Sequence, residues 1–242
     1  MAIELPEAVV TFLGVIGINW PNINEDSVRE FGSHVREFAT NLDSTHQSAS
    51  STIQEMGSAY SGSSYDQLVS TWANMSNSHM TELVDGCHVL ADAMDVAADA
   101  IVAAKGVAIA ELIALAASFI ADQAAAVLTF GIAEAAEALV IAAAKKCVDF
   151  LEQELFQHVT SEVMGKALEP LEGLISNAVE GLTFRAVSGA LGASGGGGQV
   201  GPSFHVVPAE LLRHADTMQG YSDQVTAHVA TFASSVSGVS FA

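Results

Sequence analysis

Four carboxylates stand along one predicted helix: Asp85, Asp92, Asp95 and Asp99. Acids of this kind hold a hard cation when their oxygens converge and a tight loop adds backbone carbonyls. These steps do not converge on one point and no Gly-rich loop accompanies them, so they read as a solvated acidic face. His79, Cys87 and His88, with Asp85 between, are residue types for a metal site or a Cys–His nucleophile. Cys87 and His88 are neighbours and face different sides of a helix, and His79 is more than two turns away. Glu152, Glu154 and Glu162 surround His158, but a helical di-metal site needs Glu-x-x-His on more than one helix. Gly195 to Gly198 does not open a helix after a strand, so it is not a phosphate loop. His205, His214 and His228 surround the last predicted helix. His214 and His228, two heptads apart, share a face and read as surface histidines, with a pH-sensitive contact as the functional alternative. No nucleophile has a base beside it. The expectation is a protein that is not an enzyme and takes no metal or other cofactor.

The totals agree with a binding or structural role. The 242 residues are half hydrophobic yet only 7% aromatic, and eight Lys and Arg face twenty-eight Asp and Glu for a net charge of −20. A field of that sign repels nucleic acid and anionic headgroups, so no nucleic-acid partner is expected. Alanine-rich, proline-poor composition without alternating strand patterns predicts an all-α chain. Cys87 and Cys147 form no Cys-x-x-Cys pair. They read either as two core thiols or as a bridge. Met1 to Trp20 lacks a basic start and carries Glu4 and Glu7, unlike a general secretory signal peptide.

The elements that position these residues centre on the turn Ala59-Tyr60-Ser61-Gly62-Ser63-Ser64. Upstream, Val28, Phe31, Val35, Phe38, Leu42, Thr45, Ala49, Thr52, Met56 and Ala59 recur at steps of three and four. Downstream, Val69, Ala73, Ser76, Met80, Leu83, Cys87, Leu90, Met94, Ala97 and Ile101 do the same. The spacing predicts two heptad seams, and the short turn makes the helices antiparallel. Asn24 is placed to cap the first helix, expected from Glu25 to Ser58. The Ser/Thr-rich stretch Asp43 to Thr52 predicts a bend or a loosely packed spot. Gly62 is placed to end that helix, and Ser64 with Gln67 has capping-box spacing for the next, expected from Tyr65 to Lys105.

A short apolar helix, Leu5 to Ile18, precedes the hairpin, so residues 1–106 read as one helical unit. Residues 107–191 read as an apolar helical extension packed on it, with breaks near Thr129-Phe130-Gly131 and at Pro170. Residues 192–203 form a Gly-rich linker. Residues 204–242 hold one amphipathic helix, begun at Val207-Pro208, of an incomplete second hairpin. Its seam is Leu211, Ala215, Met218, Ser222, Val225, Val229, Phe232 and Val236. An isolated stripe of this kind must dock on its own chain or on another protein. Leu211, Ala215, Met218, Val225, Val229, Phe232 and Val236 are therefore the candidate partner interface.

Two seamed helices around aromatic-x-Gly, here Tyr60-Ser61-Gly62, resemble the Trp-Xaa-Gly (WXG) superfamily, with tyrosine in place of tryptophan. Ile3-Glu4-Leu5-Pro6, Asn19-Trp20-Pro21, Glu25-Asp26 and the run Ala114 to Gln123 extend the likeness. Together they resemble the N-terminal helical domain of actinobacterial type VII secreted proteins, the group related to the mycobacterial outer-membrane channel and necrotizing toxin, over about residues 1 to 190. The resemblance implies a non-catalytic delivery domain of a polymorphic toxin, folded in the cytoplasm. It is recognised by the type VII machinery while paired with small helical WXG-like partners, and ends secreted or at the cell envelope. It also implies an effector domain following, and so a longer natural protein. The family's export signal is tyrosine, three residues, then an acid. Tyr60, Tyr65 and Tyr221 are followed at that distance by Ser64, Val69 and Val225, so a partner chain is expected to carry the signal.

Two rival readings remain. In one, residues 107–144 open into a bilayer as a pore or translocation module. Glu111, Asp122, Glu134 and Glu137 oppose this at neutral pH, and no predominantly apolar run of eighteen residues is free of charge, so a soluble protein is the default. In the other, the chain is a chaperone for a toxin's catalytic domain.

Overall fold

A computed structural model describes residues 2–21, 23–126, 133–163 and 205–241. The protein is all-α, with one pair of two-residue strands among the described residues. In chain order the elements are α1 (Glu7–Ile16), α2 (Glu25–Met56), β1 (Tyr60–Ser61), α3 (Ser63–Met75), a π-helical turn (Ser76–Met80), α4 (Thr81–Ala126), α5 (Ala133–Val163), β2 (His205–Val206) and α6 (Pro208–Ser237). The Thr129-Phe130-Gly131 break, Pro170, the end of the extension from Leu171 to Leu191 and the Gly-rich linker lie outside the described residues. The chain forms two compact units. Among the described residues the first holds 2–30, 93–163 and 239–241, and the second holds 31–92 and 205–238.

In the first unit, Val9, Phe12 and Leu13 form the buried face of α1. Gly17, at φ 70°, ends that helix in the left-handed conformation that glycine adopts without a Cβ clash. The Phe12 and Phe119 rings lie 5.3 Å apart, joining α1 to α4. Ile101, Ala108, Leu112 and Ala116 of α4 and Ala144, Cys147, Val148, Leu151 and Leu155 of α5 are buried. The alanines among them allow close approach, and the Cys147 thiol reaches the Ala108 carbonyl at 3.7 Å. Because α4 ends at Ala126 and α5 starts at Ala133, that contact sets the two helices antiparallel. α4 itself runs through Gly106 without interruption, beyond the Lys105 end expected from sequence.

A buried ion pair pins the start of α2. Glu25 is 0% and Lys105 3% exposed. One Glu25 oxygen accepts from the Ile3 amide and the other from Lys105, which also donates to the Ile23 carbonyl. Burial alone would raise the Glu25 carboxyl, but the bonds from Lys105 and Ile3 outweigh it and hold it below the usual carboxylate range. Asn24 caps α2, its side-chain oxygen accepting from the Asp26 and Ser27 amides at 3.0 and 3.2 Å. Arg29 meets Asp99 at 2.6 Å.

In the second unit, Val35 and Ala39 of α2 pack on Cys87 and Ala91 of α4, flanked by Phe31, Phe38, Val84, Leu90 and Phe232. Arg36 meets Asp92 at 2.8 Å beside this cluster. Two of the four aspartates read as a solvated face are thus paired across to α2, although exposed pairs of this kind add little stability. The Ser/Thr-rich part of α2 stays helical. Thr40, Ser48, Ser50, Ser51 and Thr52 return their hydroxyls to carbonyls one turn earlier. A largely apolar cleft of about 180 Å³ is lined by Leu42, Thr45, His46 and Ala49 of α2, Trp72 and Met75 of α3, Met80, and Met218, Tyr221, Ser222 and Val225 of α6.

Candidate partner-binding surface

The turn motif is built differently from the expectation. Tyr60 and Ser61 are extended and pair antiparallel with Val206 and His205, and the Val207 amide donates to the Ala59 carbonyl at 2.7 Å. Gly62 does take a positive φ, 133°, but as the residue that starts α3 rather than one that ends α2. The Ser64–Gln67 capping box does not form. α3 begins at Ser63, with Gly62 at its N-cap and no side-chain cap. Tyr65 instead folds back over the turn, its hydroxyl donating to the Ile53 carbonyl at 3.0 Å and its ring edge-on to Tyr60 at 5.9 Å. Gly57 makes room for it, since a Cβ there would stand 2.7 Å from the Tyr65 oxygen. Neither Gly57 nor Tyr65 carried a periodic signal.

The upstream seam lies where the spacing places it. Val28, Val35, Leu42, Thr45, Ala49, Thr52, Met56 and Ala59 are buried, and Phe31 and Phe38 are half-buried. The downstream seam holds only in its second part. Cys87, Met94, Ala97 and Ile101 are buried, and Met80, Leu83 and Leu90 are half-buried. Val69 and Ala73 are exposed, and α3 has no buried residue. The π-turn Ser76–Met80 is the reason. It inserts a residue into the helical repeat and turns α3 out of phase with α4. Besides Tyr65, Trp72 of α3 reaches α2, where it stacks on His46 at 5.0 Å and donates to the Ser50 hydroxyl at 2.8 Å. His46 also bonds Ser76 at 2.7 Å. Burial lowers the His46 pKa, against a smaller opposing pull from Asp43.

α6 docks on α2 within this unit. Phe232 stacks on Phe38 at 4.9 Å, His228 meets Thr45 at 3.1 Å, and Tyr221 meets Thr52 at 3.4 Å. The predicted interface residues divide. Leu211, Met218, Val225, Phe232 and Val236 are half-buried, whereas Ala215 and Val229 are exposed. The row beside Leu211, Met218, Val225 and Phe232 that turns inward is His214, Tyr221, His228 and Ser235. An apolarity search selects Ala215, Ser222, Val229 and Val236 instead, and so misses it. His214 is 2% exposed, and its Nε2 accepts from Arg213 at 3.1 Å. It is therefore a core residue rather than a surface one.

Cys87 and Cys147 are free, buried thiols. Burial raises both; with Glu111 adding to it, Cys147 reaches about 11. Among the described residues no three His, Cys, Asp or Glu gather as metal ligands would.

No curated protein and no solved structure matches the chain. A family model does: residues 2–146 match the WXG100 like domain. That range takes in the short first helix, the hairpin with its Tyr60-Ser61-Gly62 turn, and the α4–α5 pairing as far as Lys146. The chain belongs to the family of WXG100-like domains, and its role is one in type VII secretion.

Proposed function

We propose that this chain is the non-catalytic delivery domain of a type VII effector, exported while bound to small helical WXG-like partners. The observation that supports this most is α3. Leu68 and Val69 are 38% and 37% exposed on a helix with no buried residue, on the hairpin arm the family model covers. An amphipathic helix whose apolar row lies open gains by packing against another helix. The outward row Leu212, Ala215 and Val229 of α6 extends the same kind of surface. In this reading a partner chain carries the export signal that Tyr60, Tyr65 and Tyr221 do not form. Co-expression with neighbouring small helical proteins, pull-down and an export assay test this reading. A stable complex exported together is expected; a monodisperse chain exported alone refutes it.

One observation favours the membrane reading. Within Thr81–Ala121, α4 holds an eighteen-residue window of mean hydropathy 2.0, long and apolar enough to cross a bilayer, with 33% of that window buried. Liposome leakage at about pH 5, absent at about pH 7, would support that alternative.

A further inference from the structure

The first unit contains a groove that its own packing leaves open. It runs along α4 from Ala100 to Glu111 and along α5 from Cys147 to Leu155, with a volume of about 260 Å³. At 1.5 Å per residue its α4 side is about 16 Å long, the length of three helical turns. Ala100, Ala103, Ala104 and Ala108 make up much of its α4 lining, so small side chains leave that wall low. Its lips are Val107 and Phe150, 66% and 58% exposed. Large side chains held in water at the edge of an apolar trough mark a contact surface. A small hydrophobe within the trough would leave these lips wet, whereas a helix laid along it covers them.

Charge selects the kind of helix. Glu111 of α4 and Glu154 of α5 belong to the lining, one on each helix. A neutral apolar guest would strip water from the exposed Glu111 carboxylate and return no counter-charge. A guest with a lysine or arginine beside its apolar row returns it. The net charge of −20 steers such a guest inward and repels both anionic lipid and a second copy of this chain. We propose that the α4–α5 groove is a docking site for a basic amphipathic helix of a partner protein. Its apolar row lies over Ala104 and Ala108 between Val107 and Phe150, with cations against Glu111 and Glu154. The site deepens the delivery reading by naming the chemistry of one partner, and it rests on that reading for its biological use.

The test uses the full chain and a fluorescein-labelled helical peptide carrying leucines at three-four spacing flanked by lysines, with fluorescence anisotropy as the readout. A second peptide replaces the lysines with glutamates. The lysine peptide is expected to bind, and the glutamate peptide at least tenfold more weakly. The double variant E111Q/E154Q is expected to lose at least tenfold, and V107S/F150S a similar amount. D85N/D216N removes the same net charge elsewhere and is expected to change binding less than twofold. All replaced positions are exposed or half-buried, and circular dichroism verifies that each variant folds. Equal loss from both charge variants would reveal general attraction to an acidic protein and overturn the proposal. So would equal binding of the two peptides, or groove variants that change only self-association in light scattering or only sedimentation with anionic vesicles. The outcome separates from that of the delivery reading. Peptide binding at the groove can succeed where export with a partner fails, and a partner complex indifferent to E111Q/E154Q removes the groove alone.

Discussion

Lys105→Met should be among the most damaging single changes in the first unit. It removes the cation beside a carboxylate that is 0% exposed and takes the donor from the Ile23 carbonyl. The Glu25 carboxylate would keep backbone donors alone, the Ile3 amide among them. Breaking a buried pair from one side costs about 3–5 kcal/mol, because the remaining charge cannot regain its water. Replacing both partners with uncharged residues of similar shape, E25Q/K105M, leaves no buried charge and should cost about 2 kcal/mol less than K105M alone. The pair also has a pH signature. The folded pKa of Glu25 lies below its unfolded value, so its contribution is complete above about pH 4.3 and is lost as pH falls through the lower folded value. Wild type and K105M should therefore converge in stability on acidification, although other carboxylates titrate in both. Urea unfolding followed by circular dichroism at about pH 7 and about pH 3 measures these differences. A K105M cost under about 1 kcal/mol at neutral pH, or a gap that widens in acid, would refute the keystone reasoning.

Three further outcomes follow from the second unit. Gly57→Ala should cost about 1–2 kcal/mol in thermal unfolding by driving the Tyr65 hydroxyl off the Ile53 carbonyl, and Tyr65→Phe added to it should recover part of that loss. His46 is held with a lowered pKa, so the fold favours its neutral form. Its contribution is complete above about pH 6.5 and declines as pH falls through the lower folded value, and His46→Gln should flatten that part of the stability profile. A double-mutant cycle on Phe38→Ala and Phe232→Ala should return a coupling of about 0.5–1.5 kcal/mol, and a zero value would mean that the two rings do not hold α6 to α2.

The α2 seam shows how much periodicity can reveal. All ten positions read from the spacing are buried or half-buried, because a 3.6-residue repeat fixes one face however the rest of the chain folds. The same rule failed across Ser76–Met80. The apolar pattern runs on through the π-turn, so nothing in the one-dimensional record marks the residue that shifts the phase. On α6 the row Leu211, Met218, Val225 and Phe232 read from the spacing is half-buried, and its inward neighbours are His214, Tyr221, His228 and Ser235. Histidine and tyrosine read as polar until their partners Thr45 and Thr52 are known.

The groove between α4 and α5 illustrates the same division. Its alanines and glutamates were visible, but which of them face one another depends on a helix that returns from a distant part of the chain. Sequence alone determined the all-α class, the cap at Asn24, the α2 stripe and the family, since each rests on contacts within a few residues or on an ordered motif. Tertiary structure alone decided that Glu25 meets Lys105, that Tyr65 needs Gly57, and that α6 docks on α2 through its histidine row. Those contacts join residues distant in sequence or out of helical phase, and no local propensity records which polar group will find its partner there.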